Sequence, residues 1–202
     1  NYPEGQSETM EVENNPLKPE EGTHTVTFSR EVYVEADDFL EVPVPKYKRL
    51  YPGGPECRLK GAYLITCTGC KKDEEGNIVE IYATYDPESR GGDPADGRKV
   101  KGATIHWVDA STALDAEVRL YDNLFSEADP DGGDKDFLEC LNPGSLEILE
   151  GAKPEASLAE VDVTDRFQFL RMGYFCADKD SKPGQLIFNR AVSLKDGFKP
   201  GK

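Results

Sequence analysis

The chain has 202 residues, 39 acidic side chains against 24 basic ones, a formal net charge of −15, a hydrophobic fraction of 37% and a charged fraction of 31%. That length can bury a sizeable core as one large domain or two small ones, and the recurrence of aromatic and β-branched residues excludes a disordered chain. No apolar run approaches the roughly 18 residues of a membrane span and none reads as a secretory signal, so a soluble, cytoplasmic chain is expected.

The first 22 residues, NYPEGQSETMEVENNPLKPEEG, hold three prolines and no helical period. They read as a lead-in loop with one strand, and the missing initial methionine reads as the mark of a fragment. THTVTFSREVYVEADDF alternates apolar and polar residues, the period of a half-buried strand. CRLKGAYLITCTGC and NIVEIYATYD flank KKDEEG, which predicts a β-hairpin. KVKGATIHWVDA and DAEVRLYDNLF are again strand-like. DKDFLECLNP predicts one short helix, begun by an aspartate and stopped by Asn-Pro. SLEILEG, RFQFLRMGYFCAD and QLIFNRAVSL supply the last strands. Nine to twelve short strands with turns rich in Gly, Pro and Asp predict an all-β fold, a barrel or a pair of barrels. KKDEEGN and SEADPDGGDKD read as solvated acidic tips.

Chemistry is sparse. There is no glycine-rich phosphate cradle and no H-E-x-x-H motif. Of the two histidines, His24 and His106, the second lies beside Trp107 in an apolar strand and reads as a buried, hydrogen-bonded core residue. No pair of carboxylates sits in the apolar context that raises a pKa, so no catalytic residue is predicted. The five cysteines, at 57, 67, 70, 140 and 176, are odd in number and irregularly spaced, which predicts thiols in a reducing compartment. Cys67 and Cys70 form a C-x-x-C, read as two strand-end thiols rather than half a zinc site or a redox pair. No metal site is predicted.

The basic residues are unevenly spread. Residues 46–60, KYKRLYPGGPECRLK, carry Lys46, Lys48, Arg49, Arg58 and Lys60 against the single Glu56. Tyr47 and Tyr51 interleave with them, and stacking faces beside guanidinium forks suit splayed-out RNA bases. On composition alone, an RNA-gripping surface and a basic strand pair balancing acidic neighbours are equally good readings. A second candidate is RFQFLRMGYF. Alternation puts Phe167, Phe169 and Arg171 on one face, unless a strand end redirects one, and Gln168, with both donor and acceptor, on the other. In DGRKVKGATIHWV, Arg98 and Lys99 sit at an exposed strand start, and the face shared by Lys101, Ala103, Ile105 and Trp107 takes the tryptophan into the core.

DPADGRKVKGATIHWV (Asp93 to Val108), followed by AEVRLYDNLF, FQFLRMGYFC and FNRAVSLKD, closely resembles the C-terminal half of the glutaminyl-tRNA synthetases. The opening NYPEGQSETMEVENNP is similar to the segment where that family leaves its catalytic body. The resemblance runs nearly end to end over residues 1–202. It implies an anticodon-binding region made of two six-stranded β-barrels, of the kind seen in a ribosomal 5S-RNA-binding protein, with one or two short helices. The chain would enter through a proximal barrel, form a distal one and return, with no boundary between them that the sequence marks.

The same resemblance implies site residues. Tyr47, Lys48 and Arg49 match the family's Tyr-Lys-Arg-Leu string, whose lysine and arginine contact the anticodon loop. Arg58, Leu59 and Lys60 match an Arg-Leu-Arg string that grips an anticodon base; Lys60 keeps the charge and loses the planar fork. Lys46 stands where the family often has glutamine, which exchanges a base-edge partner for a phosphate partner. Gln168 and Arg171, in an intact Phe-Gln-Phe-x-Arg string, are expected at the anticodon, and Arg98 and Lys99 are candidates for the tRNA backbone. The implied partners are glutamine tRNA and the chain's own catalytic domain, with no membrane partner and a monomeric state. The ATP and magnesium of the reaction would belong to that catalytic domain, so this region alone would bind tRNA and catalyse nothing. The alternatives are the same region of an archaeal or eukaryotic-type glutamyl-tRNA synthetase, or a β-barrel interaction module with no RNA role.

Overall fold

The computed structural model describes residues 1–132 and 136–194. Part of the predicted acidic loop SEADPDGGDKD (133–135) and the end of FNRAVSLKD (195–196) lie outside those residues. The described chain is all-β, with thirteen strands, four short 3₁₀ turns and no α-helix. Two compact units divide it, Asn1–Ala113 and Leu114–Lys202.

In the first unit β1 (Ser7–Glu13) pairs antiparallel with β2 (Thr23–Ser29). The alternating stretch after β2 does not run on as one strand. It breaks and resumes as β3 (Val32–Tyr33), which pairs with β8 (Val108–Asp109). A four-stranded sheet has the order β6-β5-β4-β7, from β4 (Cys57–Leu59), β5 (Leu64–Lys72), β6 (Ile78–Tyr85) and β7 (Thr104–Ile105). The predicted hairpin is β5–β6. Its turn is an aspartate knot, in which Asp73 Oδ1 accepts from the backbone of Glu75 at 3.0 Å and of Asn77 at 2.7 Å. Such side-chain-to-backbone bonds are why Asp leads tight turns. Cys67 and Cys70 lie within β5 rather than at its end, on either side of a register shift. All five cysteines are free thiols.

The three ladders of this unit face one core. Tyr2, Phe28, Tyr63 and Trp107 are buried in it, with Phe28 and Trp107 edge to face at 5.0 Å. This is the geometry favoured by the ring quadrupoles. Trp107 packs as the alternation predicts and is 7% exposed, its indole N–H donating to Lys60 O at 3.0 Å. His106 is half-buried rather than buried, because β7 and β8 are two-residue strands interrupted at this position.

Glu8 wires β1 into the aromatic core. It accepts from Tyr2 Oη at 3.0 Å, Tyr63 Oη at 2.7 Å and Arg90 Nε at 2.9 Å. Burial pushes its pKa up, but the bonds from Arg90, Tyr63 and Tyr2 outweigh that and hold it below its ordinary 4.5. Burial, then the bond to Glu8, pushes both phenols up to about 12. A depressed carboxylate contributes stability that is present above its unfolded value and lost as pH falls through its folded one. Glu8→Gln is therefore expected to destabilise the first unit by about 1–2 kcal/mol at neutral pH. In acid denaturation series followed by Trp107 fluorescence, the gap to wild type should close below pH 4.5.

The second unit is built on one five-stranded sheet of order β10-β9-β13-β12-β11. It comprises β9 (Ala116–Tyr121), β10 (Leu146–Ala152), β11 (Arg166–Phe169), β12 (Gly173–Ala177) and β13 (Leu186–Val192). The β13–β9 pair is parallel and the others are antiparallel. One face buries Val118, Phe175 and Phe188, and Phe169 stacks on Phe175 at 4.3 Å. The predicted helix at DKDFLECLNP is a single 3₁₀ turn, Phe137–Cys140, capped by Asp136 and ended before Asn142. A 3₁₀ segment of such length is typical, since its hydrogen bonds are poorly aligned.

Strands and short turns thus agree with the predicted class. The hydrogen-bonded ladders are open sheets of two, two, four and five strands, rather than two closed rings of six. In the first unit the ladders stay open where β3, β7 and β8 are only two residues long, and in the second β10 and β11 are the two edges of the five-stranded sheet.

Candidate nucleic-acid interface

The predicted site residues fall in both units. In the first, the segment from Val42 to Pro55 crosses the surface without regular strand structure and is held by its backbone. Lys48 O accepts from Ala103 N at 2.7 Å, Leu50 N donates to Asp38 O at 2.9 Å and Leu40 N to Leu50 O at 3.0 Å. The run VPVPK makes a tight turn in which Tyr47 N donates to Val44 O at 3.1 Å. Pro45 fixes the first central position and Lys46 takes the second at φ 68°. Glycine is the usual residue there, because a Cβ disfavours the left-handed region. The lysine is therefore projected from a strained, rigid corner.

Arg49 and Tyr47 are partly committed to this scaffold. The Arg49 guanidinium pairs with Asp38 at 3.3 Å and donates to Asp37 O at 3.2 Å. Tyr47 Oη donates to the same carbonyl at 3.0 Å, and its ring lies 6.3 Å from that of Tyr51, tilted by 48°. Burial pushes the Tyr47 phenol up. Arg58 leaves β4 between the buried Cys57 and Leu59 and donates to Gly92 O and, at 2.9 Å, to Asp93 Oδ1. Among the described residues Lys46, Lys48 and Lys60 make no ion pair. The arginines here are oriented by protein acceptors, and the lysines are available to a polyanion.

Arg98 behaves differently from Lys99. Its fork grips Glu56 with two bonds, at 2.7 and 3.1 Å, Asp86 at 2.6 Å and Asp96 at 3.0 Å. These carboxylates hold its pKa well above the ordinary value, and a phosphate would have to displace them. Lys99 is exposed beside it.

In the second unit Gln168 lies exposed on the outer face of the edge strand β11, directly across from Tyr174. Tyr174 is 49% exposed. A ring one strand away from an exposed amide is a stacking face for a base that the amide could read. Sequence reasoning passed over Tyr174, although the alternation in GYFCA places it opposite the buried Phe175. Arg171 does not share a face with Phe167 and Phe169. The strand ends at Phe169, Met172 N donates back to Phe169 O at 2.9 Å, and Arg171 occupies the turn at φ 66° with its side chain exposed. The two phenylalanines point into the core instead. Lys46 and Arg171 are the two non-glycine residues with positive φ in the described chain, one in each unit. Left-handed residues of this kind cost about 1–2 kcal/mol and collect where function requires the geometry.

What the described residues offer is cations on strained corners, fixed guanidinium forks and exposed aromatics, the equipment for phosphates and unpaired bases. No three His, Cys, Asp or Glu side chains among them converge to hold a metal ion, and none of their helices is long and apolar enough to cross a membrane.

Comparison with known proteins agrees with that reading. Residues 1–86 and 104–178 each match a family model described as tRNA synthetases class I (E and Q), anti-codon binding domain. A glutamine–tRNA ligase of Bradyrhizobium diazoefficiens is 51% identical over 198 residues, 98% of this chain and 35% of that protein. Glutamine–tRNA ligases of Clostridium kluyveri and Clostridioides difficile are each 50% identical, over 98% and 100% of this chain and 36% of their own lengths. The chain thus spans about a third of the length of the curated relatives it matches. Matched by these models over most of its residues and by these relatives along nearly its whole length, the chain belongs to the anticodon-binding domains of the class I (E and Q) tRNA synthetases.

Proposed function

We propose that this chain is the anticodon-binding region of a glutamine–tRNA ligase and that it grips the anticodon loop of glutamine tRNA through both units. The observation that carries this reading is the identity of about half with glutamine–tRNA ligases along nearly the whole chain. On this reading the family's two barrels draw on these ladders, and the chain passes through the proximal barrel on its way to and from the distal one. Joining glutamine to tRNA, with ATP and magnesium, is the task of a catalytic domain elsewhere in a monomeric, cytoplasmic enzyme.

The chemistry divides by residue type. Lys46, Lys48 and Lys60 hold phosphates and set the register, Arg49, Arg58, Gln168 and Arg171 address bases, and Tyr47 and Tyr174 offer stacking faces. The net charge of −15 repels RNA at long range while screening confines each charge to about 8–10 Å, so the patch must act at contact distance. Titrations with a labelled glutamine anticodon stem-loop test this division. Lys46→Ala with Lys48→Ala is expected to weaken cognate and anticodon-altered stem-loops alike. It should also flatten the slope of log Kd against log salt by about 0.7 per lysine. Gln168→Ala is expected to weaken the cognate stem-loop alone, by about tenfold. A uniform drop in affinity from Gln168→Ala would remove it from base reading.

A further inference from the structure

We propose that Asp93 and the Gly92 carbonyl are positioning groups for Arg58, turning its guanidinium into a base reader and away from phosphate binding. The inference rests on the reading of this chain as an anticodon-binding region and identifies groups outside the residues assigned to RNA so far. Arg58 is flanked on β4 by two buried residues, which directs its side chain outward, and that side chain is 29% exposed. Its methylene stem lies over Gly92, where any Cβ would stand 2.9 Å from Cγ and Cδ. Gly92 itself sits at φ +91°. Nε–H donates to Gly92 O, and Nη2 donates to Asp93 Oδ1 at 2.9 Å. Those two bonds use one edge of the planar fork. The Nη1–Nη2 edge keeps two parallel donors, which suit a base with two adjacent acceptors.

The loop that carries these acceptors is fastened to the unit's core. Ser89 is fully buried; its hydroxyl accepts from Leu64 N at 2.9 Å and donates to Asp86 O at 2.6 Å. Gly91 N donates to Ala62 O at 2.7 Å and Gly92 N to Ser89 O at 2.8 Å. Further along, Arg98 ties the loop to Glu56, two residues before Arg58. Ordering a free arginine costs binding energy at the moment of contact, and a side chain already held has met that cost in folding. Asp93 also supplies a sign. A carboxylate 87% exposed beside the guanidinium offsets its attraction for phosphate but leaves its hydrogen-bond geometry intact. The pair therefore favours the correct base over general affinity. Being so exposed, the pair contributes little to stability, and its removal should leave the fold in place.

The test is a set of Kd values for the glutamine anticodon stem-loop and for three variants, each with one anticodon base replaced. They are measured on wild type, Asp93→Ala, Arg58→Ala and the double variant. The expected result is a fall of about tenfold in discrimination at one anticodon position for Asp93→Ala, with affinity for the replaced base unchanged or tighter and the melting temperature unaltered. Asp93→Ala should have no further effect in the Arg58→Ala background. A second readout needs no RNA: the Arg58 Nη2 protons, donated to Asp93, should give resolved, slowly rotating resonances in wild type and average out in Asp93→Ala. Unchanged discrimination, an equal fall in the Arg58→Ala background, or unaffected Nη resonances overturn the proposal. If wild type fails to separate the four stem-loops, the anticodon reading fails, and the Nη resonances still decide whether Asp93 positions Arg58.

Discussion

Gly102→Ala is expected to cost the first unit about 3 kcal/mol or more and to abolish RNA binding with it. Gly102 runs against the backbone just before β4 and donates its N–H to Glu56 O at 3.1 Å. A Cβ there would stand 2.7 Å from Cys57 Sγ and 2.9 Å from the Glu56 carbonyl carbon, and closer still to the carbonyl oxygen. Backbone on one side and a buried thiol on the other leave no flexible atom to yield. The next residue stitches the site together, since Ala103 N donates to Lys48 O and Arg58 N to Ala103 O. The single tryptophan lies in the same core, so thermal melting read by its fluorescence checks the first half of the prediction. A melting temperature within a few degrees of wild type would mean that this crossing is looser than described.

Arg49→Ala is expected to lower stability by about 1–2 kcal/mol and RNA affinity by about tenfold, for two separable reasons. Its partner Asp38 is wholly buried and loses the contact with the guanidinium at 3.3 Å. Breaking a fully buried pair costs about 3–5 kcal/mol, but the Arg49 side chain is 37% exposed, and solvent screening reduces the cost. Asp38→Asn removes the charge that needs compensation. In that background Arg49→Ala should therefore cost less stability while the drop in RNA affinity stays the same. Such a double-mutant cycle separates the two roles. If the cycle recovers stability and affinity together, Arg49 shapes the segment without touching RNA.

Much of the architecture could be read from alternation and turn chemistry, because both are local. The β5–β6 hairpin, the capped turn at Phe137–Cys140 and the burial of Trp107 all follow from residues within a few positions of one another. Other features were missed. CRLKGAYLITC reads as one strand, yet it folds back after Lys60 in a local turn at Gly61 (φ 71°), with Leu59 N bonded to Tyr63 O. Arg98 reads as an exposed cation, yet Glu56, 42 residues away, closes on it. Arg171 reads as sharing a face with Phe167 and Phe169 until the strand is seen to stop at Phe169, as the β12 register shows. The parallel β13–β9 pair leaves no periodic trace. For the site, residue types were legible through their resemblance to a family. The groups that orient them, Asp38, Gly92 and Asp93, were not, since each acts through a bond to a distant segment.

Anticodon recognition by this chain is tested most directly by its affinity for two stem-loops at one fixed salt concentration, one carrying the glutamine anticodon and one with all three anticodon bases replaced. Tighter binding to the first is expected, by about tenfold for each base that the site reads, with the difference persisting as salt weakens both. Equal affinities for the two, or binding to neither at low salt, would contradict it.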